Sequence, residues 1–309
     1  MPTTANGDRE RRKAKSPPSN EFGLYETLYR FWQRSSYAGD YFGLLVLVLA
    51  YTVVKVTSEP FHSQFRLDDP RISHPHAEVE RVPVVWLFVY AGIVPLGLIV
   101  AWAGLVRPTL HKAHVTLLGL VISILATTFV TDIFKDAIGR PRPDLIARCK
   151  PDASAPHDKL VTVDVCTETR HHVLHDGWRS YPSGHSSFAF SGLGWLALLL
   201  ASQTHLLRPR ASLGVVLICM IPLLGACLIA ISRLEDYRHD VFDVVSGSLL
   251  GFSVALLNWR RYYPSLLEEG CDEPYSTTSS GRNSPAGYQR ARDEEEGYAN
   301  DRFIAVDDR

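Results

Sequence analysis

The chain has 309 residues, and its 32 Lys and Arg against 33 Asp and Glu leave a formal net charge of -1. That balance argues against a nucleic-acid partner, which calls for a clustered basic excess. The hydrophobic fraction of 46% is ordinary for a soluble protein, but it collects in long blocks between polar ends, so its distribution is the informative quantity.

Residues 1–38 are polar and basic, with Arg9, Arg11, Arg12, Lys13 and Lys15, and contain no apolar core of a secretory leader. They read as a cytosolic arm, which makes the first apolar block, Tyr41 to Val56, an uncleaved anchor. The loop from Thr57 to Pro83 carries Glu59, Asp68, Asp69, Glu78 and Glu80 against three arginines. Two further blocks follow, Val84 to Val106 and Ala113 to Val130. A long polar segment, Thr131 to His185, separates them from Ser186 to Ser202, Leu213 to Ile231 and Val241 to Leu257. A helix of about 20 mostly apolar residues crosses the hydrocarbon core of a bilayer, and with their flanks included these blocks reach that length. A soluble bundle would need polar stripes at helical spacing, and the second, third and fifth blocks have none. Outside a membrane, helices of that composition would expose large apolar patches. The expected fold is therefore all-α: an integral membrane protein with six transmembrane helices within residues 39–262. Residues 263–309 are rich in Ser, Glu, Asp, Arg and Gly and read as a disordered cytosolic tail, with Ser276 to Ser284 a solvated serine-rich stretch.

Lys and Arg in the short connections set the orientation. The N-terminal arm, the turn with Arg107 and Lys112, the turn with Arg208 and Arg210, and the tail beginning at Arg260 and Arg261 share one side if six helices alternate. That side is expected to be cytosolic. The other side then holds two Arg-rich segments, Thr131 to His185 and Ser232 to Asp240, which break the charge rule unless their cations have work to do there. Cys149 and Cys166 share the first of these segments; they are bridged if it faces an oxidising compartment and free otherwise.

Three short arrays stand out in those segments, all at helix ends on the same expected face. They are Lys135 with Arg142-Pro143, then Pro182-Ser183-Gly184-His185, then Ser232-Arg233 followed by His239 and Asp243. Lys135, Arg142 and Arg233 supply fixed positive charge, and guanidinium forks suit the paired oxygens of a phosphate. Ser183 and Gly184 open a helix whose first N–H groups favour an anion, although Ser-Gly is also a common capping signal. His239 and Asp243 are four apart, so the carboxylate can hold one imidazole nitrogen while the other attacks phosphorus. His185 is placed to protonate the departing alkoxide. Cations aimed at the equatorial oxygens supply what Mg2+ supplies in kinases, so no metal and no other cofactor is expected.

Together the arrays match K-x6-RP, PSGH and SR-x5-H-x3-D at every specified position, and the chain resembles the type 2 phosphatidate phosphatase superfamily, which includes lipid phosphate phosphatases and vanadium haloperoxidases. The resemblance covers about Tyr41 to Leu257. It implies that His239 becomes phosphorylated, that Asp243 orients it, that His185 is the acid, and that Lys135, Arg142, Ser183, Gly184 and Arg233 bind the phosphate. The stretch GRPRPDLIARC is similar to fungal lipid phosphate phosphatases acting on diacylglycerol pyrophosphate, phosphatidate and lysophosphatidate. The implied partner is a lipid phosphate in the bilayer, hydrolysed at the lumenal or extracellular boundary of a vacuolar, Golgi, endoplasmic reticulum or plasma membrane. A silent lipid-phosphate binder or a transporter would need the cations but neither nucleophile nor acid, and a vanadate-dependent peroxidase would not need six membrane helices.

Overall fold

A computed structural model describes residues 37–207, 209 and 211–275. The N-terminal arm, Arg208, Arg210 and the serine-rich stretch from Ser276 lie outside the described residues. The protein is an all-α integral membrane protein. Among the described residues six helices are long and apolar enough to cross a bilayer: α1 (Tyr37–Thr57), α2 (Val84–Val106), α3 (Leu110–Ile138), α4 (Gly184–Gln203), α5 (Leu213–Glu235) and α6 (Val241–Tyr262). They alternate in direction, so the ends of α1, α3 and α5 and the starts of α2, α4 and α6 share one end of the bundle.

Helix α4 is the axis of the bundle, with 78% of its most apolar window buried against 6% for α1. Its companions reach it through small residues. A side chain on Gly251 of α6 would meet the Ser187 carbonyl oxygen at 2.1 Å, and one on Gly247 would meet the Ser183 carbonyl oxygen at 2.5 Å. Glycines four apart therefore bring the α6 and α4 backbones together, which is how membrane helices pack where no hydrophobic force drives them. At the far end Trp195, Trp259 and Tyr263 form a buried aromatic cluster. Leu45, Leu49 and Val53 of α1 are exposed, an outward face suited to lipid. In α2 a π-helical turn over Val89–Ile93 precedes Pro95, whose ring nitrogen cannot donate to the Ala91 carbonyl.

Helices α3, α5 and α6 run well past the C-terminal ends of their apolar blocks. Helix α3 continues past Val130 through Asp132, Lys135 and Asp136, because those carboxylates are paired: Asp132 with Lys55 (2.7 Å) and Arg179 (2.9 Å), Asp136 with Arg179 and Ser58. Lys135 thus stands on a helix, one turn before the Gly139 cap, and not in a loop. Likewise Ser232 and Arg233 belong to the last turn of α5. Helix α6 reaches Tyr262, and the chain stays packed beyond it, against the expectation of a tail disordered from 263. Tyr263 and Cys271 are fully buried, Lys112 Nζ donates to Glu273 at 2.9 Å, and Gln203 Nε2 donates to the Asp272 carbonyl at 3.0 Å. Those contacts give residues 263–275 the buried surface and ion pairs that composition alone did not promise.

The two longer connections at the site end fold onto each other as a cap. Phe65 and Val161 exchange backbone hydrogen bonds, Trp178 Nε1 donates to the Ser63 carbonyl at 3.0 Å, and Phe65, Ile72, Leu145 and Trp178 form a small core. Cys149 and Cys166 are joined in a disulfide beside that core.

Candidate active site

The cap and four helix ends bring the three arrays into one cluster. Lys135 arrives on α3 and meets the start of α4, where a side chain at Gly184 would stand 3.4 Å from its ammonium nitrogen. Gly184 and His185 are the first residues of α4, so their amides have no carbonyl one turn earlier and face the same space. The Ser183 hydroxyl already accepts from Ser186 N–H at 3.4 Å as the helix cap, and its own N–H donates to the Asp243 carbonyl at 3.0 Å. Ser183 therefore ties α4 to α6.

Arg142 is buried and fixed on every side. Its Nε donates to the Asp176 carbonyl (2.8 Å), its Nη2 to Asp176 Oδ1 (2.9 Å) and its Nη1 to the Arg238 carbonyl (3.1 Å). The same Nη1 lies 3.3 Å from His239 Nε2. A guanidinium can only donate, so this contact gives His239 Nε2 the lone pair and puts the ring proton on Nδ1. Burial, reinforced by Arg142 and Lys135, holds the His239 imidazole well below the usual histidine range, so it is neutral at pH 7 with its Nε2 lone pair turned to the Arg142 guanidinium. Asp176 shows the opposite balance: burial works to raise it, but Arg142, Arg148 and Lys135 outweigh burial and keep it ionised below the usual carboxylate range.

His239 lies just before the Asp240 cap of α6, outside the helix. Asp240 caps α6 by accepting from Asp243 N–H at 2.9 Å, while Asp243 accepts from Asp240 N–H at 3.2 Å. This reciprocal capping box, and not a helical turn, aims Asp243 back at His239. Asp243 is completely buried and lies 3.6 Å from His239 Nδ1. Two residues the sequence reading passed over hold it. Arg140 Nη1 donates to Oδ1 at 2.7 Å, and the Ser180 hydroxyl donates to Oδ2 at 2.6 Å while sitting 3.5 Å from His239 Nδ1. Arg140 lies only two positions from Arg142 in GRPRP and could have been noticed as a third cation; Ser180 carries no local signal.

Across the cluster, His185 Nε2 donates to the Val82 carbonyl at 3.0 Å, so that nitrogen carries a proton. Arg233 is 1% exposed and binds Glu80 Oε2 (2.8 Å) and Asp236 Oδ2 (2.9 Å). Of the aspartates near the arrays, Asp132 and Asp136 pair with Arg179, Asp144 with Arg148, Asp236 with Arg233 and Arg81, and Asp240 with Arg140. Among the described residues no group of three or more His, Cys, Asp or Glu is arranged to hold a metal ion. An apolar cleft of about 670 Å³ opens between α2, α4 and α5. Its lining runs from Val82, whose carbonyl binds His185, through Leu193, Ile221 and Ile229 to Trp102 deep in the bundle.

Four of the six membrane helices thus bring cations, two histidines and a carboxylate together at one end of the bundle, with an apolar cleft alongside. Residues 116–266, which contain every residue of the three arrays, match the PAP2 superfamily. The chain is 38% identical over 266 residues to the probable diacylglycerol pyrophosphate phosphatase 1 of Schizosaccharomyces pombe, covering 83% of this chain and 94% of that protein. It is 41% identical over 231 residues to diacylglycerol pyrophosphate phosphatase 1 of Saccharomyces cerevisiae (74% and 80%) and 34% identical over 228 residues to lipid phosphate phosphatase 2 of Arabidopsis thaliana (73% and 77%). The chain belongs to the PAP2 superfamily.

Proposed function

We propose that this protein is a metal-independent lipid phosphate phosphohydrolase, acting on phosphatidate, diacylglycerol pyrophosphate or lysophosphatidate through a phosphohistidine. The observation that carries the reading is the contact of Arg142 Nη1 with His239 Nε2 at 3.3 Å, which leaves a neutral imidazole lone pair beside a guanidinium fork. Lys135, Arg142, Arg233 and the Gly184 amide bind the phosphate, with Ser183 positioning that amide. His239 Nε2 forms the bond to phosphorus as the phosphorus–oxygen bond of the ester breaks, and His185, protonated to imidazolium once the anionic substrate lies beside it, passes a proton to the departing oxygen and is left as neutral imidazole. Asp243 stabilises the Nδ1–H side of the ring as charge develops. Water, deprotonated by His185, then cleaves the phosphohistidine to inorganic phosphate. The acyl chains remain in the apolar cleft, so the substrate need not leave the bilayer.

Two features support a lumenal or extracellular site with cytosolic termini: the Cys149–Cys166 disulfide in the cap, and Arg107, Lys112, Arg260 and Arg261 at the opposite end. Phosphatidate labelled with 32P at the head group tests the reading on the purified protein. We expect label on wild-type protein after acid-free quenching, no label and no phosphate release with His239→Ala, and full activity in EDTA. Full turnover by His239→Ala removes the nucleophile from the scheme, and loss of activity in EDTA that Mg2+ restores removes the metal-free mechanism.

A further inference from the structure

Glu80, in the connection between α1 and α2, lies across the site. Its Oε2 accepts from Arg233 Nη1 at 2.8 Å and its Oε1 from Arg238 Nη2 at 2.8 Å, so one carboxylate bridges two guanidinium groups. The same Oε2 stands 3.9 Å from His185 Nε2. Arg238 is anchored beside the nucleophile, because its carbonyl accepts from the Arg142 Nη1 that also meets His239. Its Nε is buried and has no hydrogen-bond partner, and its nearest other carboxylate, Asp144, is 3.9 Å away. Arg238 occupies an unspecified position of the third array, and Glu80 lies outside all three.

The reacting phosphate lies against Lys135, Arg142, Arg233 and the start of α4, beside His239. Arg238 is a further guanidinium, joined to Arg233 on the His185 side by the chain's own Glu80. An in-line displacement puts the leaving group opposite the nucleophile, which is the His185 side. A monoester places an uncharged glycerol oxygen there, whereas a diphosphate places a second phosphate there, and that phosphate suits the Arg238 guanidinium fork. We propose that Arg238 seats the inner phosphate of a lipid diphosphate next to the terminal phosphate held by Arg233, that Glu80 fills this seat in the free enzyme, and that Arg238 thereby sets preference for diphosphate over monophosphate head groups. This rests on the phosphatase reading above. In the step concerned, His239 Nε2 bonds to the terminal phosphorus and the bond from that phosphorus to the bridging oxygen breaks. The electron pair stays on the bridging oxygen, so phosphatidate departs as an anion whose new charge faces Arg238. Glu80 leaves the seat as a carboxylate and gains no proton.

The test compares wild type, Arg238→Gln, Arg238→Lys and Glu80→Gln, full-length in detergent micelles, on diacylglycerol pyrophosphate and phosphatidate of the same acyl composition. We expect Arg238→Gln to lower the ratio of kcat/KM for the diphosphate over the monophosphate tenfold or more, and Arg238→Lys to restore part of it. Glu80→Gln should lower the inhibition constant of inorganic pyrophosphate at least threefold, because it removes a competing carboxylate. An unchanged ratio in Arg238→Gln overturns the proposal, as does an unchanged or raised pyrophosphate constant in Glu80→Gln. If Arg238→Gln is not recovered as folded protein, the ratio in Arg238→Lys and the pyrophosphate constant decide. Wild type that hydrolyses neither lipid sinks the phosphatase reading instead; calorimetric binding of inorganic pyrophosphate to wild type and Glu80→Gln still reports on the seat.

Discussion

Arg140 Nη1 reaches Asp243 Oδ1 at 2.7 Å, and that contact, 103 residues long in sequence, fixes the carboxylate behind His239. Ser180 completes the arrangement by donating to the other oxygen while lying against His239 Nδ1. Arg140 pairs with Asp243 and Asp240 and not with His239 itself, so it acts as a positioning residue. We expect Arg140→Ala to lower kcat by about ten- to a hundredfold, about 1.4–2.8 kcal/mol of transition-state stabilisation, with a smaller change in KM. Partial rescue of kcat by Arg140→Lys would distinguish positioning from a general loss of folding, and an unchanged kcat in Arg140→Ala would refute the role.

The acid limb of activity should lie low. Burial depresses the His239 proton affinity in the folded protein, so the site keeps its free imidazole below the ordinary histidine value of about 6.5. We expect kcat/KM, corrected for substrate ionisation followed by 31P NMR, to stay level as pH falls through about 6.5 and to decline only at more acid pH. The sign for stability follows from the same shift. Above about pH 6.5 the imidazole is neutral in both states and contributes nothing to the pH dependence; below it the unfolded chain takes up a proton that the native site resists, so stability falls. A limb in the corrected profile centred at an unperturbed histidine value would contradict this environment for His239.

Helix α6 cannot tolerate bulk where it crosses α4. A methyl group on Gly251 would press on the Ser187 carbonyl, whereas one on Gly97 of α2 meets nothing within 4 Å. Gly251→Ala should therefore destabilise the protein by about 1–3 kcal/mol, and Gly97→Ala should not. Thermal unfolding followed in detergent checks both, and equal Tm values for the two variants would be inconsistent with this packing. Activity should fall in parallel for Gly251→Ala, because the same crossing carries Ser183 and Asp243.

The disulfide closes a loop with a sequence separation of 17, which in the chain-entropy account is worth about 3 kcal/mol. Cys166→Ser is expected to lower Tm, and reductant should lower the wild-type Tm without affecting that of Cys166→Ser. A wild-type Tm indifferent to reductant would mean that the bridge does not stabilise the cap.

The sequence by itself determined the six apolar spans, the all-α class and the three arrays. Hydropathy over about 20 residues and fixed spacings such as that from Ser232 to Asp243 are properties of a single stretch of chain. Only the tertiary structure decided which partner each charge has. Helix α3 runs on through Asp132 and Asp136 because Lys55 and Arg179 come from elsewhere to pair with them. Asp176, Ser180, Arg140 and Glu80 looked like ordinary loop residues, and they became the supports of Arg142, Asp243 and Arg233 once the connections folded over the helix ends. Glu80 meets Arg233 across 153 residues. A pair at that separation leaves no periodic trace, because an ion pair depends on two side chains meeting in space, and packing alone determines where they meet.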